Sequence, residues 1–193
     1  MARDMSPILK RCRALGIEPQ VMGINKKSNR NPQKSRRKES EYGRQLKEKQ
    51  KVKFIYGVLE KPFRTLYDRA SRMSGITGEN LLRLLEMRMD NVIYRLRLAD
   101  TRAQARQYVS HSHFLVNGKR VNVPSADLRV GDVITLKERS KKLAPFTDVE
   151  EAAVPEWLSM NWETLEAKVV GLPQRSDIDF EVEETLIVEL YSR

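Results

Sequence analysis

The sequence predicts an α+β protein in which helices come first and a small antiparallel sheet follows. Three observations carry this expectation. Apolar residues recur at helical spacing through much of 46–96, a capping pattern opens a further helix at Thr101, and Asn117-Gly118 then joins two short strand-like runs.

The helical part starts after Ser40. Leu46, Val52, Ile55, Leu59, Phe63, Leu66 and Ala70 recur at helical spacing, and Pro62 within them predicts two helices or a kinked one. The opposite faces carry Lys47, Lys49, Lys51, Lys53, Lys61, Arg64 and Arg69. The apolar stripe is narrow and reads as core, not as a membrane-surface helix. Gly75 and Gly78 break the chain, and Leu81, Leu82, Leu85, Met89, Ile93 and Leu96 predict another helix over 79–100. Thr101 is then expected as an N-cap, with Gln104 completing a capping box. On the helix that follows, Arg102 and Arg106 share one face while Ala105 and Val109 share another.

The runs 114–116 and 119–123 read as a β-hairpin, because Asn117-Gly118 supplies the positive φ that a tight turn needs. Gly131-Asp132 precedes a further strand over 133–136. Beyond Lys142, Pro155 predicts a helix start, with Trp157, Leu158, Trp162 and Leu165 as core candidates. The ending LIVELYSR predicts a terminal strand or a packed extension.

Charge is distributed unevenly along the 193 residues. The formal net charge is +10, but residues 1–142 hold 33 basic and 14 acidic residues (+19), and residues 143–193 hold 3 and 12 (−9). So large a positive excess calls for an anionic partner, most naturally a polyanion. The run 24–40, INKKSNRNPQKSRRKES, has seven Lys or Arg and almost no large apolar side chains, so it reads as a basic arm. Cys12 is the only cysteine, which excludes an intramolecular disulfide and a cysteine-based zinc site and suggests a reducing compartment. No apolar run is long enough for a membrane helix or a signal peptide, and a cytoplasmic protein is expected with no membrane partner.

Catalytic signatures are missing. There is no Walker loop, dinucleotide glycine pattern, nucleophile elbow or HExxH stretch. His111 and His113 lack acidic or thiol neighbours and make a poor metal site. The acidic groups around Asp177, Asp179, Glu181, Glu183 and Glu184 read as a solvated face. The capped helix with Arg102 and Arg106 and the turn presenting Lys119 and Arg120 instead match phosphate oxygens. The helix lacks a set of base-reading side chains, so folded RNA, read by shape and backbone, fits better than sequence-specific DNA binding.

Residues 85–91 (LEMRMDN), 101–106 (TRAQAR), 109–111 (VSH) and 116–121 (VNGKRV) resemble the RNA-binding domain named after small-subunit ribosomal protein four. Segments 40–43 (SEYG), 48–57, 155–158 (PEWL) and 186–193 are similar to the rest of that ribosomal protein family. The resemblance covers most of 40–193. It implies a helical first domain plus a small RNA-binding domain of two helices packed on an antiparallel sheet. It also implies binding to 16S ribosomal RNA, contacts with neighbouring small-subunit ribosomal proteins, a part in nucleating subunit assembly and in forming the channel that messenger RNA enters, and repression of the protein's own messenger RNA in many bacterial members. The domains expected are a basic arm over 1–39, a helical domain over 40–86 completed by 186–193, and an RNA-binding domain with an acidic extension over 87–185.

Carried over by position, the RNA-facing candidates are Arg88, Arg95, Arg102, Arg106, His111, Asn117, Lys119 and Arg120, joined by Tyr42, Lys47, Lys49, Lys51 and Lys53 on the basic helices. Asp90, Asn91 and Thr101 are assigned to holding the helices in place. Three departures from the family pattern stand out. Many members bind zinc through four N-terminal cysteines, whereas here Cys12 stands alone with Leu9 at a companion position, so no zinc and no other cofactor is expected. The basic run replaces a glycine-rich stretch. Ser112 occupies the place of a glycine between two histidines, which counts against a positive-φ turn there. Two other readings compete: an RNA-modifying enzyme, for which about 50 residues after the domain are too few, and a free-standing RNA-binding regulator.

Overall fold

The computed structural model describes residues 6–26, 40–147, 149 and 151–192. The chain forms two compact units, residues 1–82 with 178–193 and residues 83–177. Most of the basic run 24–40 lies outside the described residues.

In the first unit, α1 (Ile8–Leu15) buries Cys12 and Leu15 and stops at left-handed Gly16. This part of the expected basic arm is therefore folded. α2 (Glu41–Ile55) starts where Ser40 Oγ accepts the Gly43 N–H at 3.1 Å. α3 (Glu60–Ala70) follows after a turn in which Gly57 has φ 61°. The break thus falls at Gly57 and not at Pro62. Pro62 sits in the first turn of α3, where a missing N–H leaves no intrahelical bond unmade.

The C-terminal run is helical as α9 (Glu184–Tyr191), and not a strand. A short apolar run does not by itself distinguish the two. Here Ile187 is fully buried and Glu184, Val188 and Tyr191 are half-buried, the spacing of one helix face. α9 is tied to α2 where Gln45 Nε2 donates to Glu189 Oε2 at 3.0 Å. The ring centroid of Tyr191 lies 4.4 Å from that of Tyr67. Gly78, in α4 (Thr77–Glu86), comes so close to α9 that an added Cβ would stand 2.5 Å from the Glu184 Cβ.

The second unit packs α5 (Met89–Arg95) and α6 (Arg102–Ser110) with an antiparallel sheet of β1 (Phe114–Val116), β2 (Lys119–Arg120), β3 (Val133–Leu136), β4 (Leu158–Asn161) and β5 (Glu166–Val169). The strand order is β2-β1-β3-β5-β4. Met89, Val92, Ile93, Leu96, Ala105 and Val109 from the helices share one core with Phe114, Ile134, Leu136, Leu158, Ala167 and Val169 from the sheet. Two single turns, α7 (Glu138–Lys141) and α8 (Ala144–Thr147), follow β3, and α8 brings Phe146 into the same core.

Three expectations are corrected here. The single helix over 79–100 is two, because at 87–90 the backbone pairs with a loop: Met89 N–H donates to Ala126 O (2.9 Å), Asp90 N–H to Pro124 O (3.0 Å), and Leu128 N–H to Met87 O (2.9 Å). Pro155 opens no helix. Trp157 and Leu158 are buried, but Leu158 begins β4, which pairs along its length with β5, while Trp162 and Leu165 are only half-buried at the connecting turn. Ser112 does take the left-handed conformation, with φ 62°, although it is not glycine.

That strain sets up a measurement. Ser112→Val places a β-branched residue at positive φ and is expected to lower stability by about 2 kcal/mol. Ser112→Gly is expected to raise it by about 0.5 kcal/mol, relief of strain being partly offset by backbone entropy. Chemical denaturation of the full chain reads both, and equal stability in the two variants would refute the strained turn.

Candidate nucleic-acid interface

Four of the predicted arginines come together in the second unit. Arg88 is the extended N-cap residue of α5, with ψ 140°. Its Nε and Nη2 fork onto Asp90 at 3.0 and 2.7 Å. Arg95, one helix length on, forks onto Glu86 at 2.9 and 2.8 Å. Asn91 links the two elements: its Nδ2 donates to Glu86 Oε2 at 2.7 Å and its Oδ1 accepts from Arg102 Nε at 2.8 Å. Arg102 also lies over the Tyr94 ring, 4.2 Å from its centroid. Arg106 reaches Asp90 Oδ2 at 3.4 Å.

Such double-pronged contacts require the planar guanidinium, so lysine could not substitute. Arg88, Arg95 and Arg102 are 3, 6 and 8% exposed. Arg106 is half-buried and is the most accessible of the four. Burial lowers its pKa from the ordinary value; Asp90 opposes this shift and Arg88 adds to it. The helices are held as expected by Asp90, Asn91 and Thr101, whose Oγ1 accepts the Gln104 N–H at 3.1 Å. The Gln104 side chain turns back onto the Asp100 N–H at 2.9 Å, one residue before the partner of a standard capping box.

The hairpin forms a second cationic element. Asn117 and Gly118 have φ 49° and 75°, the pair of left-handed residues that a type I′ turn requires. The Asn117 side chain is also a brace, donating to Asp132 Oδ1 at 2.8 Å and accepting the Val133 N–H at 2.9 Å. Lys119 and Arg120 stand exposed on β2, the edge strand. His111 is exposed at the end of α6, while His113 is hydrogen-bonded to Ser140 Oγ at 3.0 Å. Burial lowers the His113 pKa, and the charges of His111 and Lys137 reinforce this.

In the first unit the candidates share α2. Tyr42 is exposed on its first turn and Lys47 is half-buried. Lys51 pairs with Glu48 at 3.5 Å. Lys49 and Lys53 converge on Glu60 of α3, with Lys49 Nζ at 2.8 Å and also 5.5 Å from the Tyr191 ring centroid. Burial would raise the Glu60 pKa, but hydrogen bonds and charge from both lysines overcome it and hold the carboxyl at about 2, below its ordinary 4.5. A depressed carboxyl stabilises the fold fully above about pH 4.5 and loses that contribution as pH falls toward 2. Glu60→Gln is therefore expected to flatten the acid limb of the stability curve between those values. An unchanged limb in acid titrations followed by circular dichroism would disprove it.

Glu60 and Glu86 escape a reading of the sequence for cations. Glu86 could not be found from helical spacing, because the break between α4 and α5 removes any fixed period linking it to Asn91 and Arg95. Zinc does not fit this chain: Cys12 is the one cysteine and it is buried, with burial raising its thiol pKa. Among the described residues no helix is long and apolar enough to cross a membrane.

Two helices braced by buried arginine forks and followed by a cationic hairpin form the arrangement of an RNA-binding domain, and residues 87–134 match the family model described as the S4 domain. Residues 3–86 match the model described as the ribosomal protein S4/S9 N-terminal domain. The small ribosomal subunit protein uS4 of Lachnoclostridium phytofermentans is 56% identical over 198 residues, covering all of both chains. That of Fusobacterium nucleatum subsp. nucleatum is 49% identical over 195 residues, again covering both entirely. That of Clostridium tetani is 60% identical over 161 residues, 82% of this chain and 78% of the relative. The chain belongs to the small ribosomal subunit protein uS4 family.

Proposed function

We propose that the chain is a structural constituent of the cytoplasmic small ribosomal subunit. It binds 16S ribosomal RNA, nucleates assembly beside neighbouring ribosomal proteins, and contributes to the region where messenger RNA enters. The observation that carries this reading is identity of 56% to a named small-subunit protein across the whole of both chains. Its relatives are named as ribosomal proteins, which weighs against an enzyme role.

The geometry supports a division of labour among the candidates. Lys119 and Arg120, exposed on the hairpin, make phosphate contacts, with His111 and Arg106 at the adjoining helix and Asn117 shaping the turn. Tyr42, Lys47, Lys49, Lys51 and Lys53 form the α2 contribution. Arg88 and Arg95 act as positioning residues, and Arg102 bridges that brace to the α6 surface.

Filter binding of the full chain to a 16S ribosomal RNA transcript across salt concentrations tests the reading. Log K is expected to fall by about 0.9 per neutralised phosphate in duplex regions. Lys119→Ala with Arg120→Ala should reduce that slope by about 1 to 2. A flat salt dependence, or absence of the chain from small subunits sedimented from cell extract, would overturn it.

A further inference from the structure

We propose that Asp132 is a positioning residue for RNA binding: its carboxylate holds the hairpin turn in the place from which Lys119 and Arg120 reach phosphates. This rests on the RNA-binding reading above.

Asp132 is itself fixed by the sheet. Its backbone O accepts the Val169 N–H of β5 at 3.0 Å, and the neighbouring Gly131 N–H donates to Val169 O at 2.8 Å. Held there, the carboxylate serves two donors. Its Oδ2 accepts the Arg129 N–H at 2.7 Å, which closes the turn before β3, and its Oδ1 accepts from Asn117 Nδ2 at 2.8 Å. Asn117 in turn engages both backbone groups of Val133: its N–H donates to Val133 O at 2.8 Å and its Oδ1 accepts the Val133 N–H at 2.9 Å. A chain of hydrogen bonds therefore runs from β5 through Asp132 to the hairpin turn. The cations depend on it, because β2 is an edge strand of two residues and Lys119 opens it directly after Asn117-Gly118, opposite Val116.

Charge sets the sign of the test. A carboxylate beside a phosphate-binding turn opposes the approach of RNA, so its removal tightens binding if charge alone matters. If it positions the turn, its removal weakens binding, because the Asn117 amide and the Arg129 N–H lose their acceptor and the cations lose their fixed place.

The test is filter binding of the full chain to a 16S ribosomal RNA transcript, with circular dichroism showing that each variant is folded at the binding temperature. Asp132→Ala is expected to weaken binding about fivefold, and Asp132→Asn, which keeps one of the two acceptors, by less. If Asp132→Ala is not folded, Asp132→Asn carries the same comparisons. In a chain already bearing Lys119→Ala and Arg120→Ala, neither substitution should weaken binding further, since no cation is left for the turn to place. Asn117→Asp combined with Asp132→Asn exchanges donor and acceptor at unchanged net charge. The carboxylate at 117 then accepts from the Val133 N–H and from the amide at 132, whose oxygen accepts the Arg129 N–H. This pair should bind within about twofold of the wild type.

Binding by Asp132→Ala as tight as wild type or tighter, with a steep wild-type salt slope, would overturn the positioning role and leave the RNA-binding reading standing. Equal weakening in the Lys119→Ala, Arg120→Ala background would also overturn it, because the loss would not then pass through the hairpin. If the exchanged pair binds no better than Asn117→Asp alone, the Asn117 amide meets RNA directly and the positioning role is again overturned. A flat salt slope for the wild type removes both readings together.

Discussion

Glu86→Ala is expected to destabilise the chain by about 3–5 kcal/mol, the cost of leaving a buried charge without its partner. Glu86 receives both prongs of Arg95 and the amide of Asn91, and through Asn91 it sets the position of Arg102. Removing the carboxylate strands a guanidinium that is 6% exposed. Replacing the pair together, Glu86→Leu with Arg95→Met, should cost far less, because no lone charge remains. Denaturant unfolding of the single and double variants distinguishes the cases. Similar losses in both would mean that packing volume matters at this site and charge pairing does not.

Gly78→Val is expected to cost about 3 kcal/mol, at the upper end for overpacking. The glycine has no special φ; its constraint is space, since a Cβ would meet the Glu184 Cβ at 2.5 Å and that residue's backbone carbon at 3.6 Å. Better helix propensity for valine cannot offset such a clash. Because the obstacle is the Glu184 Cβ, Glu184→Ala should give no relief and Glu184→Gly should give some. Thermal unfolding of the six combinations, Gly or Val at 78 with Glu, Ala or Gly at 184, checks this. Rescue by the alanine variant would show that the close approach has been misplaced.

Local chemistry made several features legible in advance. The Thr101 cap, the Asn117-Gly118 hairpin and the strand over 133–136 each depend on short-range rules, and each occurs. The family resemblance likewise rested on motifs of a few residues. Elsewhere the deciding group does not show in local spacing: it lies a few residues away for Pro62, and far along the chain for Arg88 and the C-terminal run. Pro62 could be placed inside a helix only once Gly57 was known to make the turn. The break at Arg88 exists because residues 124–128 offer backbone carbonyls and N–H groups to that segment. The helical state of residues 186–191 depends on α2 and α3 receiving one face of it.

The sequence by itself determined which residues could bind an anion: an excess of lysine and arginine ahead of an acidic end, with motifs that specify the family. Tertiary structure alone decided how those cations are used. Arg88 and Arg95 carry the same formal charge as Lys119 and Arg120, yet the first pair is turned onto Asp90 and Glu86 while the second remains exposed on β2. A side chain's charge is set by its chemistry, but its availability is set by whether folding brings a carboxylate within hydrogen-bonding reach.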